Sequence, residues 1–115
     1  AGAPFEYRGG AFARCMDIAR KAGVGAGESG QRLYMSTFCD ALFFLKAGLD
    51  SATALTPAGL EDAVSHLGRS YDSTATYGTN FFAGRHDGAT AVRYTKYDAG
   101  CACMAYANSR VDQGR

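Results

Sequence analysis

The sequence lacks several features by which a function is often recognised. Tryptophan is absent, proline occurs twice, and twelve Lys and Arg residues are scattered against eleven Asp and Glu, for a formal net charge of +1. Without a basic patch, we expect no nucleic-acid partner. No apolar stretch approaches the roughly 20 residues of a membrane-spanning helix, and residues 1–10 do not read as a signal peptide. We expect a soluble chain, which export with removal of a signal segment would still allow.

Motifs that bind phosphate, metal or a cofactor are also missing. The glycine-rich residues 23–30 lack the G-K-[ST] ending of a phosphate-binding loop. No C-x-x-C pair, the usual half of a zinc site, is present. We therefore expect no enzyme and no cofactor. A small metal protein or enzyme built on Cys101, Cys103 and His86 stays open as an alternative.

Four cysteines are present, and they raise the question of disulfides. Two bridges among four cysteines can be connected in three ways, and the sequence alone does not choose. Cys15 and Cys39 lie on segments of helical periodicity, where a bridge between packed helices is geometrically easy. Cys101 and Cys103 would lie about 7 Å apart on a flat strand, so a bridge needs a bent backbone, which Gly100 can help supply. Four reduced cysteines in the core are the alternative.

Hydrophobic periodicity predicts two amphipathic helices in the first half of the chain. The first ends at Gly23, which tolerates a left-handed cap, and the second lies within residues 31–50. We expect the second helix to be buried on most sides, because Phe43 and Phe44 widen its apolar stripe. The inward positions of the first helix are Phe12, Cys15, Ile18, Ala19 and Ala22, and the stripe of the second is Phe38, Leu42, Leu45 and Leu49.

The second half begins with a third helix and then changes character. Thr56 as N-cap and Pro57 at the first helical position start a helix that ends at Gly68; its inward residues are Leu60, Ala63, Val64 and Leu67. Residues 71–82 favour a short strand or an extended loop. After them, TAVRYTKY and CACMAYA flank DAG, a three-residue connection that predicts a β-hairpin. The residues alone therefore indicate α+β: three helices, extended segments and a C-terminal hairpin.

Three segments in this order, CDALFFLKAGLD, LTPAGLEDAVSHLG and GRHDGATAVRYTKYDAGCACMAY, resemble the C-terminal third of extracytoplasmic solute-binding proteins of the branched-chain amino-acid ABC transporter class, particularly actinobacterial ones. The resemblance covers residues 12–106. It implies an α/β periplasmic-binding fold of two lobes, of which residues 1–115 form a single partial domain, with 1–11 and 107–115 loosely ordered. The departure is length, because both βαβ-rich portions that precede this region in the family are absent.

The resemblance also implies a function and partners. The full-length protein would bind an amino acid or similar small solute outside the cytoplasm and deliver it to an ABC permease. In that location the cysteines could be bridged. Missing sheet partners would leave open edges, which favours homo-oligomers or strand exchange. The alternative function is a small secreted interaction domain stabilised by disulfides.

Few residues are candidates for a site. In the family, an aromatic just before the helix equivalent to FCDALFFLKAGL contributes to the amino-acid pocket, and alignment on that helix places Tyr34 there. An aromatic that packs beneath the lobe junction is the alternative. Asp40 is a carboxylate in an apolar helix, for which solvent exposure or capping of a loop is expected. His86 and Asp87 favour turn chemistry over acid–base catalysis, and His66 is expected to cap a helix end.

Overall fold

The computed structural model describes residues 9–24, 27–85 and 87–112. Within them the chain forms three helices, an irregular segment and a two-stranded antiparallel sheet. The predicted α+β order is therefore confirmed, whereas the two-lobed fold implied by the resemblance stays a prediction. No helix in these ranges is both long enough and apolar enough to cross a membrane.

Helix α1 spans Gly10–Lys21 and turns one face toward a small core. It ends as predicted at Gly23, whose φ of 69° suits a residue without a Cβ. Ile18 was expected on the buried face but is 49% exposed, because it lies about a quarter turn away from the line that meets the next helix. Ala22, also expected there, is exposed at the end of the helix. The buried residues are Ala11, Phe12, Cys15, Met16 and Ala19.

The first turn of α1 is completed by a residue from far along the chain. Gly9, at the N-cap, has no side chain that could accept a hydrogen bond. Instead the backbone N–H of Ala11 donates to Oδ2 of Asp72 over 2.9 Å, across 61 positions of sequence. A carboxylate is favoured there because the amino end of a helix carries partial positive charge.

Helix α2 spans Ser29–Ser51, a length of about 34 Å. It is joined to α1 by a disulfide between Cys15 and Cys39, whose Cα atoms lie 5.9 Å apart. Met35 and Phe43 pack beside this bridge and complete the core cluster of Phe12, Cys15, Met16 and Cys39.

The prediction that α2 is buried on most sides is wrong. Phe38 and Leu42 are 69% and 66% exposed, and Leu45 and Leu49 are 46% and 42% exposed. Periodicity correctly assigned these residues to one stripe, but it carries no information on whether another element covers that stripe. In this chain α1 and α3 meet other sides of α2.

Helix α3 spans Pro57–Ser65: it starts as predicted but ends before the predicted Gly68. The side chain of Thr56 accepts a hydrogen bond from the N–H of Gly59 at 3.1 Å. The chain folds back here so closely that a Cβ on Gly59 would lie 2.2 Å from the carbonyl oxygen of Ala54. Along α3, Ala63 is buried while Leu60 and Val64 lie half-buried against α2.

Between α3 and β1, the described residues 66–85 and 87–90 take irregular extended paths, in agreement with the loop alternative for residues 71–82. In the described part of this stretch, isolated β-bridges join Gly68 with Phe81 and Thr79 with Ala89. The rings of Phe44, Tyr71 and Phe81 meet with centroids 4.9 to 6.2 Å apart. These aromatic contacts hold the segment against α2.

The predicted hairpin is confirmed, but its turn is not the one expected. Strand β1 spans Ala91–Asp98 and β2 spans Cys103–Asp112, with Asp98 opposite Cys103. The connection is therefore residues 99–102 rather than DAG. The positive φ belongs to Ala102, at 49°, and not to Gly100. On a flat strand Cys101 and Cys103 would lie too far apart to form a disulfide. In the structure the backbone bends between them, because Cys101 lies in the turn.

Of the two terminal segments expected to be loosely ordered, residues 10–11 belong to α1 and residues 107–112 to β2. Residues 1–8 and 113–115 lie outside the described part. Among the described residues neither strand packs against a helix. The sheet contacts the irregular segment at Tyr77, whose ring centre lies 5.5 Å from the guanidinium carbon of Arg93 in β1 and 5.9 Å from the ring centre of Tyr106 in β2. Arg93 also lies 4.2 Å from the ring centre of Tyr106, across the two strands.

Candidate binding surface

An uncharged row of exposed large side chains runs along α2, and we call it the α2 stripe. Its members are Tyr34, Phe38, Leu42, Leu45 and Leu49, which are 42% to 73% exposed. They recur every three or four residues and thus share one face for about 22 Å. Lys46 and Asp50 lie beside the stripe and pair with each other.

The stripe is bare because α2 uses its other sides for contacts within the chain. Cys39 and Phe43 face the core with α1, Gly48 meets α3, and Asp40 and Phe44 hold the irregular segment. Scattered exposed apolar residues are normal on proteins, but a continuous row of large ones marks a contact surface. The stripe is therefore a candidate for covering by another protein surface.

Tyr34 lies at the amino end of the α2 stripe with 73% of its surface exposed. The resemblance placed it just before the helix, and the structure corrects this: α2 begins at Ser29, so Tyr34 lies in its second turn. Its side chain points outward on the same face as the rest of the stripe. Its contribution to a ligand pocket stays a prediction, as does the packing alternative.

Asp40 caps the irregular segment, as one of the sequence alternatives predicted. Its Oδ1 accepts hydrogen bonds from the Tyr71 hydroxyl at 2.9 Å, the Ser73 hydroxyl at 2.8 Å and the Thr74 N–H at 2.8 Å. Burial and then the hydrogen bond to Asp40 raise the pKa of Tyr71 above its ordinary range. With three donors on one oxygen, this carboxylate has a structural role.

The histidines do not form a described site. Nδ1 of His66 lies 2.8 Å from the Asp62 carbonyl at the end of α3, which confirms the predicted capping role. His86 lies outside the described residues. Its neighbour Asp87 is 81% exposed in its side chain and lies 3.5 Å from Nε of Arg85.

All four cysteines are paired, Cys15 with Cys39 and Cys101 with Cys103. This is the connectivity in which each cysteine bonds to its neighbour in sequence. The alternative of four reduced cysteines is therefore wrong for this structure. In the described ranges no three His, Cys, Asp or Glu side chains are grouped so that they could hold a metal ion.

An open groove of about 620 Å³ lies between α1 and α2 and has a mixed lining. Its charged groups already contact the chain itself. The Arg14 guanidinium lies 4.6 Å from the ring centre of Phe43, Lys46 pairs with Asp50, and Asp72 holds the first turn of α1. The groove is thus a less convincing site than the stripe.

Comparison with protein-family models, with curated proteins and with solved structures found no match to this chain.

Proposed function

We propose that this chain is the C-terminal portion of the solute-binding component of an ABC transporter that imports branched-chain amino acids or similar small solutes. The observation that carries the proposal is the α2 stripe. In a receptor of two lobes, the corresponding helix packs in the region between them. A row of large apolar side chains along one helix is what such a position requires, because another protein surface covers it.

The cysteines support the same location. Two disulfides are typical of proteins that fold in an oxidising compartment, and rare in those that stay in the cytoplasm. A solute receptor of this class works outside the cytoplasm and meets an ABC permease there. The proposed location is therefore extracytoplasmic.

Tyr34 is the residue proposed to touch the solute. It stands at one end of the stripe, so a ligand bound between this surface and the covering lobe could contact its ring. Aromatic rings pack well against aliphatic side chains such as those of branched-chain amino acids. In the family that the sequence resembles, the groups that hold the α-carboxylate and α-ammonium lie mostly in portions outside residues 1–115, so these residues alone are not expected to bind the solute.

The test uses the product of the complete reading frame that encodes this chain. Its intact mass is measured first, and then its affinity for leucine, isoleucine and valine by calorimetry. We expect a protein several times longer that binds at least one of them. Tyr34→Ala should weaken that binding by about tenfold or more, the equivalent of about 1.4 kcal/mol.

Tyr94→Ala is the matched control, because Tyr94 is similarly exposed, at 64%, on the distant hairpin. It should leave the affinity unchanged. Equal effects of the two substitutions would remove Tyr34 from the site. A reading frame that ends with this chain, and whose product binds no amino acid, would overturn the receptor proposal.

The two disulfides also favour a second candidate, a small secreted interaction domain. In that case the stripe would be the contact surface for a protein partner. The chain itself would then be the whole functional unit and would melt cooperatively as a monomer. Its melting temperature would fall sharply on full reduction, since a bridge typically contributes about 2 to 4 kcal/mol.

A further inference from the structure

The two disulfides lie in opposite surroundings. Cys15 and Cys39 are 0% and 8% exposed in the core between α1 and α2. Cys101 is exposed and Cys103 half-buried at the tip of the hairpin, where no helix contacts the sheet in the described ranges. A thiolate can therefore approach the second bridge from solvent, whereas the first is shielded by packed side chains.

The backbone of the hairpin tip also favours opening of the Cys101–Cys103 bridge. Ala102, the residue between the two cysteines, has a φ of 49°, and it is the one non-glycine residue in the described ranges with a positive φ. That conformation is unfavourable for a residue with a Cβ, because the Cβ approaches the following carbonyl oxygen. Once the bridge opens, Ala102 is free to leave this positive φ for a conformation with negative φ.

The number of residues between the bonded cysteines is a third reason to expect that the tip bridge opens first. A disulfide stabilises largely by restricting the unfolded state, and more so for longer loops. The bridge in the core closes a separation of 24 positions, and the bridge at the tip a separation of 2. The tip bridge is thus stabilised little by restriction of the unfolded chain, and it requires an unfavourable backbone conformation.

We propose that Cys101–Cys103 is a site of thiol–disulfide exchange, reduced selectively by dithiols while Cys15–Cys39 stays closed. A thiolate of the dithiol attacks Sγ of Cys101, the S–S bond breaks, and the Cys103 thiolate leaves and takes up a proton. The second thiolate of the reagent then attacks the mixed disulfide and releases Cys101. Two electrons pass to the protein, and the dithiol becomes a disulfide.

Stepwise reduction of the folded chain tests this. The chain is equilibrated with increasing dithiothreitol, free thiols are blocked with N-ethylmaleimide, and the labelled cysteines are located by peptide mass spectrometry. We expect Cys101 and Cys103 to be labelled at concentrations at least about tenfold below those that label Cys15 and Cys39. Labelling of both pairs together, or of the core pair first, would overturn the proposal.

Two variants separate the causes. In Ala102→Gly the positive φ is no longer unfavourable, because glycine adopts that conformation freely; glycine also gains more backbone freedom when the bridge opens, which partly offsets this. The dithiothreitol concentration needed for half-reduction should therefore rise roughly two- to fivefold. An unchanged or lower requirement would contradict the argument from Ala102.

The second variant carries Cys101→Ser and Cys103→Ser together. Labelling of Cys15 and Cys39 in it should follow the wild-type curve, as expected if the tip bridge does not support the core. Labelling of the core pair at the low concentrations expected for the tip would show that the tip bridge is structural, which would overturn the proposal.

Discussion

Asp40 is the residue that connects the longest helix to the irregular half of the chain. Hydrogen bonds from Tyr71, Ser73 and Thr74 converge on its Oδ1 from 31 to 34 positions away. The charge is therefore balanced by donors from one short segment. Loss of a donor leaves a partly buried acceptor with fewer partners, which is more costly than loss of an exposed hydrogen bond.

Tyr71→Phe should lower the free energy of unfolding by about 1 to 2 kcal/mol near pH 7, because the hydroxyl donates to Asp40. The pKa of Tyr71 is raised in the folded chain, so the folded state retains the proton that the unfolded state releases above about pH 10. The contribution of the hydroxyl is thus fully present below that pH and declines above it.

Chemical denaturation followed by circular dichroism between pH 7 and pH 11 measures this difference. Tyr94→Phe is the control, since Tyr94 is exposed on the hairpin. The stability gap between wild type and Tyr71→Phe should narrow above pH 10. A gap that stays constant over the whole range would show that the hydroxyl does not depend on Asp40 in this way.

At the scale of elements, the start of α3 is fixed by a close backbone approach as well as by its cap. Gly59→Ala improves helix propensity by about 1 kcal/mol, yet the new Cβ would lie 2.2 Å from the Ala54 carbonyl oxygen. We expect the clash to exceed the gain, so that the variant loses about 1 to 2 kcal/mol in urea denaturation.

Gly30→Ala is the matched control, because Gly30 lies in the first turn of α2 and a Cβ there meets nothing within 4 Å. That variant should be neutral or more stable by up to about 1 kcal/mol. If both substitutions stabilise the chain, the segment before α3 does not fold back as described.

Elements whose signals are local could be predicted from the sequence. Thr56 and Pro57 start α3 at the expected place, and Gly23 ends α1, because caps depend on neighbouring residues. The hairpin was recognised from its strands, but its turn was not. Pairing of Cys101 with Cys103 overrides the glycine signal and moves the positive φ to Ala102.

Features that depend on distant residues could not be predicted. Asp72 at the first turn of α1 is 61 positions from its partner, and no local pattern links them. The exposure of the stripe was missed for a related reason. The spacing of apolar residues indicates which of them share a face of α2, but whether another element covers that face depends on the rest of the fold. For Asp40, the apolar residues around it in the sequence indicated an unusual carboxylate, but its hydrogen-bond partners are visible only in the structure.

As a whole, the molecule is more extended than a compact domain. Its radius of gyration is 16.0 Å, against about 13 Å expected for a compact chain of this size. The hairpin stands apart from the helices, and the buried core is small. The α2 stripe thus faces outward in a molecule whose described residues form only a small core, and the isolated chain is expected to associate through it.

The variant Phe38→Glu with Leu42→Glu tests that association. Charges on the stripe oppose contact between apolar surfaces, so the variant should elute as a monomer in size-exclusion chromatography with light scattering. The wild-type chain should form larger species and bind more of a hydrophobic dye. Thr37→Glu adds a charge on an exposed side of α2 away from the stripe and should behave as wild type. A wild-type chain that is monomeric and binds no dye would contradict the expectation.

The distant contact at the start of α1 bears on the order in which the chain acquires structure on the ribosome. Ala11 is made 61 residues before Asp72, which at about 5 to 20 residues per second corresponds to about 3 to 12 seconds of synthesis. Through that interval the amino end of α1 has neither its acceptor nor a capping side chain. Newly made chains therefore pass through a stage in which the first turn of helix α1 is incomplete. That turn is completed only after synthesis of the segment that also hydrogen-bonds to α2.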